Sequence, residues 1–288
     1  MPGAPTPALH VDPSELARLA GELARRVGVR IRMMRERGVD VAATKSSLTD
    51  VVTAADREAE ELLVAGILAA RPDDGILGEE GADSAGTSGV TWVIDPIDGT
   101  TNYLYGLPAY GVSVAATVAD SSAAGSHSGN THDGRRAIAG AVYLPVTDEL
   151  FTAFEGGGAM LGGVTVTVST EEDLSLALVG TGFGYTLERR TEQANVARHI
   201  IPQIRDLRRM GSASVDLCMI ASGRLDAYYE RGLQPWDYAA GVLIAREAGA
   251  EVLGRDEETL PGEPLLITGP PALARKLRDS VTAAYAAG

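Results

Sequence analysis

The chain has 288 residues, 45 % apolar and 22 % charged, which is the balance of a globular protein built as one large domain or two coupled ones. A formal net charge of -14 removes the counterion release that drives phosphate-backbone binding, so direct contact with nucleic acid is not expected. No apolar run reaches membrane-spanning length, "MPGAPTPALHVDPSE" lacks a basic segment followed by an apolar core, and the one cysteine, Cys218, leaves no internal disulfide; these features predict a cytoplasmic protein.

Residues 1–12 are Pro-rich and read as a flexible tail. "DPSE" then starts a helix, with Asp12 as cap, Pro13 at the first helical position and Glu15 completing a capping box. Leu16, Leu19, Ala20, Leu23, Ala24, Val27, Ile31 and Met34 follow at helical spacing, and Gly38 ends the run. After the polar stretch "VAATKSSLTDVV", Thr53 reads as a second cap with Asp56 three residues on. Ala59, Leu62, Leu63, Gly66 and Ile67 form the apolar face of that helix, and Pro72 lies past its end.

The pattern then turns to strands. "GILG" and "TWVID" are short buried strands, "YGVSVAATV" and "AIAGAVYLP" longer ones, and "ELFTAFE" pairs with the segment beyond the turn at Gly156–Gly158. Residues 120–136, rich in Ser, Gly, Asn and His, read as a hairpin tip. His127, His132 and Asp133 lie in it, with nothing nearby to hold them as a metal site. In the second half "LALVGTGFG" is a strand entering a Gly-rich loop, and a helix is predicted from about Leu187 to Leu207. "SASVDLCMIASG" is a short buried helix, "LDAYYE" a strand, "WDYAAGVLIAREAGAEV" a helix turning into a strand, "PLLITG" a strand, and the last helix runs from about Pro271 to Ala284. The order αα, then β, then βαβαβα predicts a layered α/β (α+β) protein with two coupled subdomains, about 13–170 and 171–288.

No phosphate loop of the Gly-x-x-x-x-Gly-Lys type, no dinucleotide fingerprint and no Ser–His pairing is present. Carboxylates recur instead where apolar strands end. "ILGEE" places Glu79 and Glu80 there, "VIDPID" places Asp95 and then Asp98, and "QPWDYAAG" puts Asp237 at a helix start. One such acid is ordinarily a cap or turn residue; several that converge form a different object. Two carboxylates about 4 Å apart repel by roughly 4 kcal/mol at an effective dielectric near 20. A converging set without His or Cys therefore calls for a hard cation, Mg²⁺, Mn²⁺ or Ca²⁺, in preference to zinc. Two such ions suit in-line attack of water on phosphorus. Pro96 is expected to break the strand and leave the Ile97 carbonyl free to face a cation. Gly99 lets the backbone approach closely, and Thr100 and Thr101 open a helix whose amides point at an anion.

With "GEE", "WVIDPIDGTTNY" and "WDYAAGVLIAREAGA" in this order, and with "KSSLTDVVTAAD" and "GSASVDLCMIASGRLDAYYERG" around them, the sequence resembles the inositol monophosphatase family of Mg²⁺-dependent, lithium-sensitive phosphatases from about residue 14 to 285. The resemblance implies an αβαβα layered sandwich of the inositol monophosphatase/fructose bisphosphatase type, assembled as a homodimer. It implies an enzyme that hydrolyses inositol monophosphate to inositol and phosphate. Two or three Mg²⁺ ions per site are implied, with Mn²⁺ as a substitute and Li⁺ as an inhibitor. Glu79, Asp95, the Ile97 carbonyl, Asp98 and Asp237 are the implied metal ligands, and Glu79 and Thr100 the residues that position the attacking water. Gly99 and Thr100 would hold the phosphate, Gly211, Ser212 and Ala213 would line the pocket, and Glu230 and Asp237 would contact substrate hydroxyls. Lys45 is similar to a mobile-loop residue that closes over the site, with Asp50 and Asp56 in the same region; Asp56 is equally a helix-start acid. Glu80 reads as a support, not a ligand. Leu48 stands where proline or aspartate is commoner, Tyr103 replaces a frequent phenylalanine, and residues 120–136 exceed the family's usual loop. Family relatives also hydrolyse fructose 1,6-bisphosphate, histidinol phosphate and phosphoadenosine phosphate, and some bacterial ones act as partners in transcription complexes. Substrate choice and a protein-binding role are therefore separate expectations.

Overall fold

The structure, a computed structural model, describes residues 11–38, 41–44, 51–119 and 131–287, with only the backbone for 41–44 and 51–53. Lys45, Leu48, Asp50 and His127 lie outside the described residues.

Helix α1 covers Pro13–Glu36. Asp12 caps it, but its carboxylate accepts from the Ser14 N–H at 2.9 Å; the Glu15 N–H goes to the Asp12 carbonyl. A ribbon of β1 (Val41–Thr44) and β2 (Val51–Thr53) leads to α2 (Ala54–Ala70). Leu62 is 37 % exposed, so α2 buries a narrower face than its apolar spacing predicts. Asp56 and Glu60 are buried on it beside Ala59, Leu63 and Ile67. Strands β3 (Gly75–Gly78), β4 (Asp83–Ser84) and β5 (Val90–Asp98) follow, then the short helix α3 (Thr100–Tyr105). Next come β6 (Gly111–Ala119), β7 (Arg135–Leu144), β8 (Glu149–Phe154), β9 (Ala159–Leu161) and β10 (Val164–Val166). These form an eight-stranded sheet in the order β10-β9-β8-β7-β6-β5-β3-β4, antiparallel except for β3 beside β5.

The second half supplies β11 (Leu178–Thr181), α4 (Leu187–Ile200), β12 (Asp206–Arg208), α5 (Ala213–Ala221), β13 (Ala227–Glu230), α6 (Pro235–Glu247), β14 (Glu251–Leu253), β15 (Leu266–Gly269) and α7 (Pro271–Ala287). Its sheet runs β12-β11-β13-β15-β14. The helix expected to reach Leu207 ends at Ile200. Pro202 lacks the N–H that an interior helical position needs, the chain passes into a 3-10 turn at Ile201–Gln203, and Asp206–Arg208 pairs in parallel with β11.

Four apolar interfaces separate five layers. The side chains of α1 and α2 pack on one face of the large sheet through Leu16, Ile31, Leu63, Trp92 and Ile94. Helices α5 and α6 fill the space between the sheets, against Val93 and Phe151 on one side and Tyr228 and Leu266 on the other. Helices α4 and α7 close the outer face of the small sheet through Val196, Ile200, Leu273 and Leu277. Each such aliphatic side chain contributes about 1.5–3 kcal/mol on burial. The order is αβαβα. Tyr103, fully buried, differs from phenylalanine by a hydroxyl that donates to the Ile31 carbonyl at 2.9 Å, tying α3 to α1.

Candidate active site

Alternation along β5 decides where its acids point. Trp92 and Ile94 face α1 and α2, whereas Val93 faces α5 and α6, so Asp95 belongs to the second face. In a regular strand Asp98, three residues on, would point the other way. Pro96 does not end the strand; β5 continues to Asp98 with a bulge. Asp95 opposes Ser113 and Asp98 opposes Gly111, so one extra residue sits on β5 and both acids return to one face. That face meets the beginnings of α5 and α6.

Asp98 Oδ2 accepts from the Ser212 hydroxyl at 2.7 Å and the Ser214 N–H at 2.6 Å, and Ser212 is itself the N-cap of α5. Asp237 lies in the first turn of α6, where its Oδ2 accepts from the Gln234 N–H at 2.7 Å in a capping box. Asp95, 0 % exposed, accepts from the Ile97 N–H at 3.0 Å through Oδ1; its Oδ2 is buried with no N–H or hydroxyl donor among the described residues. One oxygen from each of Asp95, Asp98 and Asp237 lies within 4.8 Å of the others. Burial, followed by the charges of Glu79, Asp98 and Asp237, pushes the Asp95 carboxyl well above the usual carboxylate range. Burial and the charge of Asp98 do the same to Asp237, and burial raises Asp98 against the pull of its serine donors. An all-oxygen set with such a buried carboxylate oxygen fits a hard cation, and nothing in it selects a soft one.

These three acids open onto a cavity of about 400 Å³. Glu79, at the end of β3, stands on its wall with Ile97, Gly99, Thr100, Gly211, Ser212, Ala213 and Glu230. All the residues read from the motifs as ligand or substrate contacts thus surround one space. The Ile97 carbonyl shares the Thr100 hydroxyl with Asp56, Thr100 Oγ1 lying 3.1 Å from it and 3.2 Å from Asp56 Oδ1, which leaves its second lone pair for a cation. Asp56 lies in the first turn of α2, and there it is 0 % exposed and accepts from Thr100 beneath the site. A second cavity of about 80 Å³, lined by Thr131, Arg135 and Arg246, is away from this cluster. Asp133 lines it and accepts from the Tyr238 hydroxyl at 3.4 Å, while the His132 N–H goes to the Pro261 carbonyl at 2.9 Å.

Sequence reasoning missed four participants. Ser214 contributes only a main-chain N–H, which no side-chain pattern reveals. Glu60 carries a signal, being an acid four residues after Asp56 on the same face of α2. Tyr228 donates to Glu230, two residues along β13 on the same face. Arg209 lines the cavity and lends its charge to Glu230. Burial lifts the Glu230 carboxyl to about 7 against the pull of Tyr228 and Arg209.

Gly99 joins β5 to α3 at φ +95°, where an added Cβ would meet the Ala109 carbonyl at 3.0 Å and the Gly211 carbonyl at 3.2 Å. Gly99→Ala is expected to cost about 1–2 kcal/mol of stability from the left-handed backbone. Urea denaturation checks this; an unchanged midpoint contradicts the strain.

A protein-family model described as the inositol monophosphatase family matches residues 12–285. An inositol-1-monophosphatase of Mycobacterium leprae is 43 % identical over 285 residues, covering 92 % of this chain and 93 % of that one. A protein of Pasteurella multocida named Nus factor SuhB is 40 % identical over 236 residues, covering 81 % and 83 %. The solved structure of Mycobacterium tuberculosis SuhB superposes with a TM-score of 0.77 at 39 % identity, over 95 % of this chain and 98 % of that one. Layered fold and buried acid cluster together are those of a phosphatase. The chain belongs to the inositol monophosphatase family, a metal-dependent family whose substrates are phosphorylated small molecules. No helix among the described residues is long and apolar enough to cross a membrane.

Proposed function

We propose that the protein is a Mg²⁺-dependent phosphomonoesterase that hydrolyses inositol monophosphate to inositol and phosphate. The observation that carries this reading is the Oδ2 of Asp95, buried with no N–H or hydroxyl donor among the described residues, in a group of three mutually repelling carboxylates at the floor of a cavity sized for a small sugar phosphate. Asp95, Asp98, Asp237, Glu79 and the Ile97 carbonyl hold two or three Mg²⁺ ions, with Mn²⁺ as a substitute. Bound there, Mg²⁺ supplies Lewis-acid polarisation of the phosphoryl oxygens and lowers the pKa of water.

The chain's own groups do the rest. Thr100 donates its hydroxyl hydrogen to Asp56 or to the Ile97 carbonyl, 3.2 and 3.1 Å away. Its oxygen then accepts a hydrogen bond from the attacking water and so orients it. Glu79 fixes a second direction on that water. The Gly99 and Thr100 amides hold the phosphate, and Gly211, Ser212 and Ala213 form the wall behind it. Glu230 and Asp237 take the hydroxyls of the leaving alcohol. We read the protein as a cytoplasmic homodimer inhibited by Li⁺.

The substrate is chosen by few groups, so a panel of kcat/KM values for inositol 1-phosphate, fructose 1,6-bisphosphate, histidinol phosphate and phosphoadenosine phosphate is the test. Inositol 1-phosphate is expected to lead by about tenfold or more; a higher value for any other ester overturns the assignment. The relative named Nus factor SuhB supports a second reading, in which the protein also docks on a protein partner. In that case an Asp98→Asn variant retains the partner in a pulldown, whereas loss of the partner favours catalysis as the main role.

A further inference from the structure

We infer that Glu60, which lies outside the cavity, is the positioning residue for Glu79; the inference rests on the role of Glu79 proposed for the attacking water. Glu60 is 7 % exposed, on the buried face of α2. Its two carboxylate oxygens accept from two main-chain donors of the turn after β3: Glu80 N–H at 2.8 Å and Ala82 N–H at 2.9 Å. Glu79 stands directly before the first of these. Its own N–H goes to the Ile94 carbonyl of β5 at 3.3 Å, and the turn is closed by the Gly78 N–H on the Ala82 carbonyl at 2.6 Å. The peptide on each side of Glu79 is therefore tied, one to the strand that bears Asp95 and the other to Glu60.

The approach is close. A Cβ on Gly78 would stand 2.3 Å from Glu60 Oε2, so a side chain at 78 would push the carboxylate from its place beneath the turn. A charged acceptor serving two amides is the strong form of this contact, roughly twice a neutral bond. Glu60 also follows Asp56 by four residues, so both project from one face of α2. Asp56 reaches Thr100 and Glu60 reaches the Glu79 turn. One helix face thus sets the two side chains, Glu79 and Thr100, that fix the attacking water in the proposed function, although neither acid of the helix lines the cavity.

A double-mutant cycle tests this: Glu60→Ala, Glu79→Gln and the pair, each assayed for kcat and KM with inositol 1-phosphate and for the rise in melting temperature on adding Mg²⁺ alone. Glu60→Ala is expected to lower kcat about 10–100-fold and to raise the Mg²⁺ concentration for half of the thermal shift, with KM changed less than about twofold. On the Glu79→Gln background it is expected to change kcat by less than about twofold, because the residue through which it acts is gone. A purely structural role would lower kcat equally on both backgrounds and would overturn the inference. So would wild-type kcat in Glu60→Ala. Wild-type turnover in Glu79→Gln overturns the reading of the site and the inference with it; loss there with no loss in Glu60→Ala overturns the inference alone. If Glu60→Ala does not fold, Glu60→Gln enters the same cycle: it keeps the volume but offers one acceptor to two N–H groups, and an intermediate, equally non-additive loss is expected.

Discussion

Replacing Asp98 by Asn is expected to lower kcat by about 10²–10³-fold while leaving the protein folded. The groups around the carboxylate set the direction. Oδ2 is already engaged by the Ser212 hydroxyl and the Ser214 N–H. The asparagine oxygen must take that place, since an amide NH₂ there would face two donors. The NH₂ then takes the place of Oδ1 in a side chain that comes within 4.8 Å of the carboxylate oxygens of Asp95 and Asp237. A cation loses a charged ligand and meets a donor, whereas the helix cap and the β5 bulge keep their hydrogen bonds. Steady-state kinetics with a thermal melt alongside checks both halves. Unchanged turnover contradicts the metal role, and an unfolded variant contradicts the account of the serine contacts.

The second large effect concerns stability and has the opposite sign. Asp95→Asn is expected to stabilise the metal-free protein above neutral pH while abolishing turnover. The Asp95 carboxyl is held well above its ordinary range, first by burial and then by Glu79, Asp98 and Asp237. Between the ordinary carboxylate value and that raised one, the folded protein binds more protons than the unfolded chain. Metal-free stability therefore falls as pH rises through that window. EDTA-treated wild type is expected to lose denaturation free energy from pH 5 to pH 8, and Asp95→Asn to show a flatter profile because the group that titrates is absent. Added Mg²⁺ at about 100 times its dissociation constant restores about 2.7 kcal/mol to the wild type and little to the variant. Urea titrations at each pH, with and without Mg²⁺, decide it. A wild-type profile that is flat in EDTA contradicts the picture of a cluster in need of a cation.

Much of this was legible in the sequence because it is local. The apolar spacing of α1 and α7, the alternation of the long strands and the acids at strand ends are written within single segments. The family resemblance orders those segments into five layers. Features that depend on pairing were not legible. A proline after Asp95 reads as a break, yet the neighbouring strand continues the pairing and turns the interruption into a bulge, which is what lets Asp95 and Asp98 share a face. Apolar content carried the helix reading past Ile200, where Pro202 and a strand partner end it. Strand β4 spans Asp83–Ser84 alone and is defined only by its neighbour. In the site, the acids themselves announced their chemistry, but their supports did not. The Ser214 amide is more than a hundred residues from Asp98 along the chain, and the Glu60 carboxylate meets the main chain of a turn some twenty residues later. Such contacts leave no pattern in composition or spacing.

In the proposed function, carboxylates in the cavity gather Mg²⁺ to hydrolyse a sugar-like phosphomonoester. Phosphate release from inositol 1-phosphate, measured in EDTA and then across a Mg²⁺ titration, tests it most directly. No release above background is expected in EDTA, and saturable turnover is expected to return with Mg²⁺. Turnover that persists in EDTA, or none at saturating Mg²⁺, would contradict it.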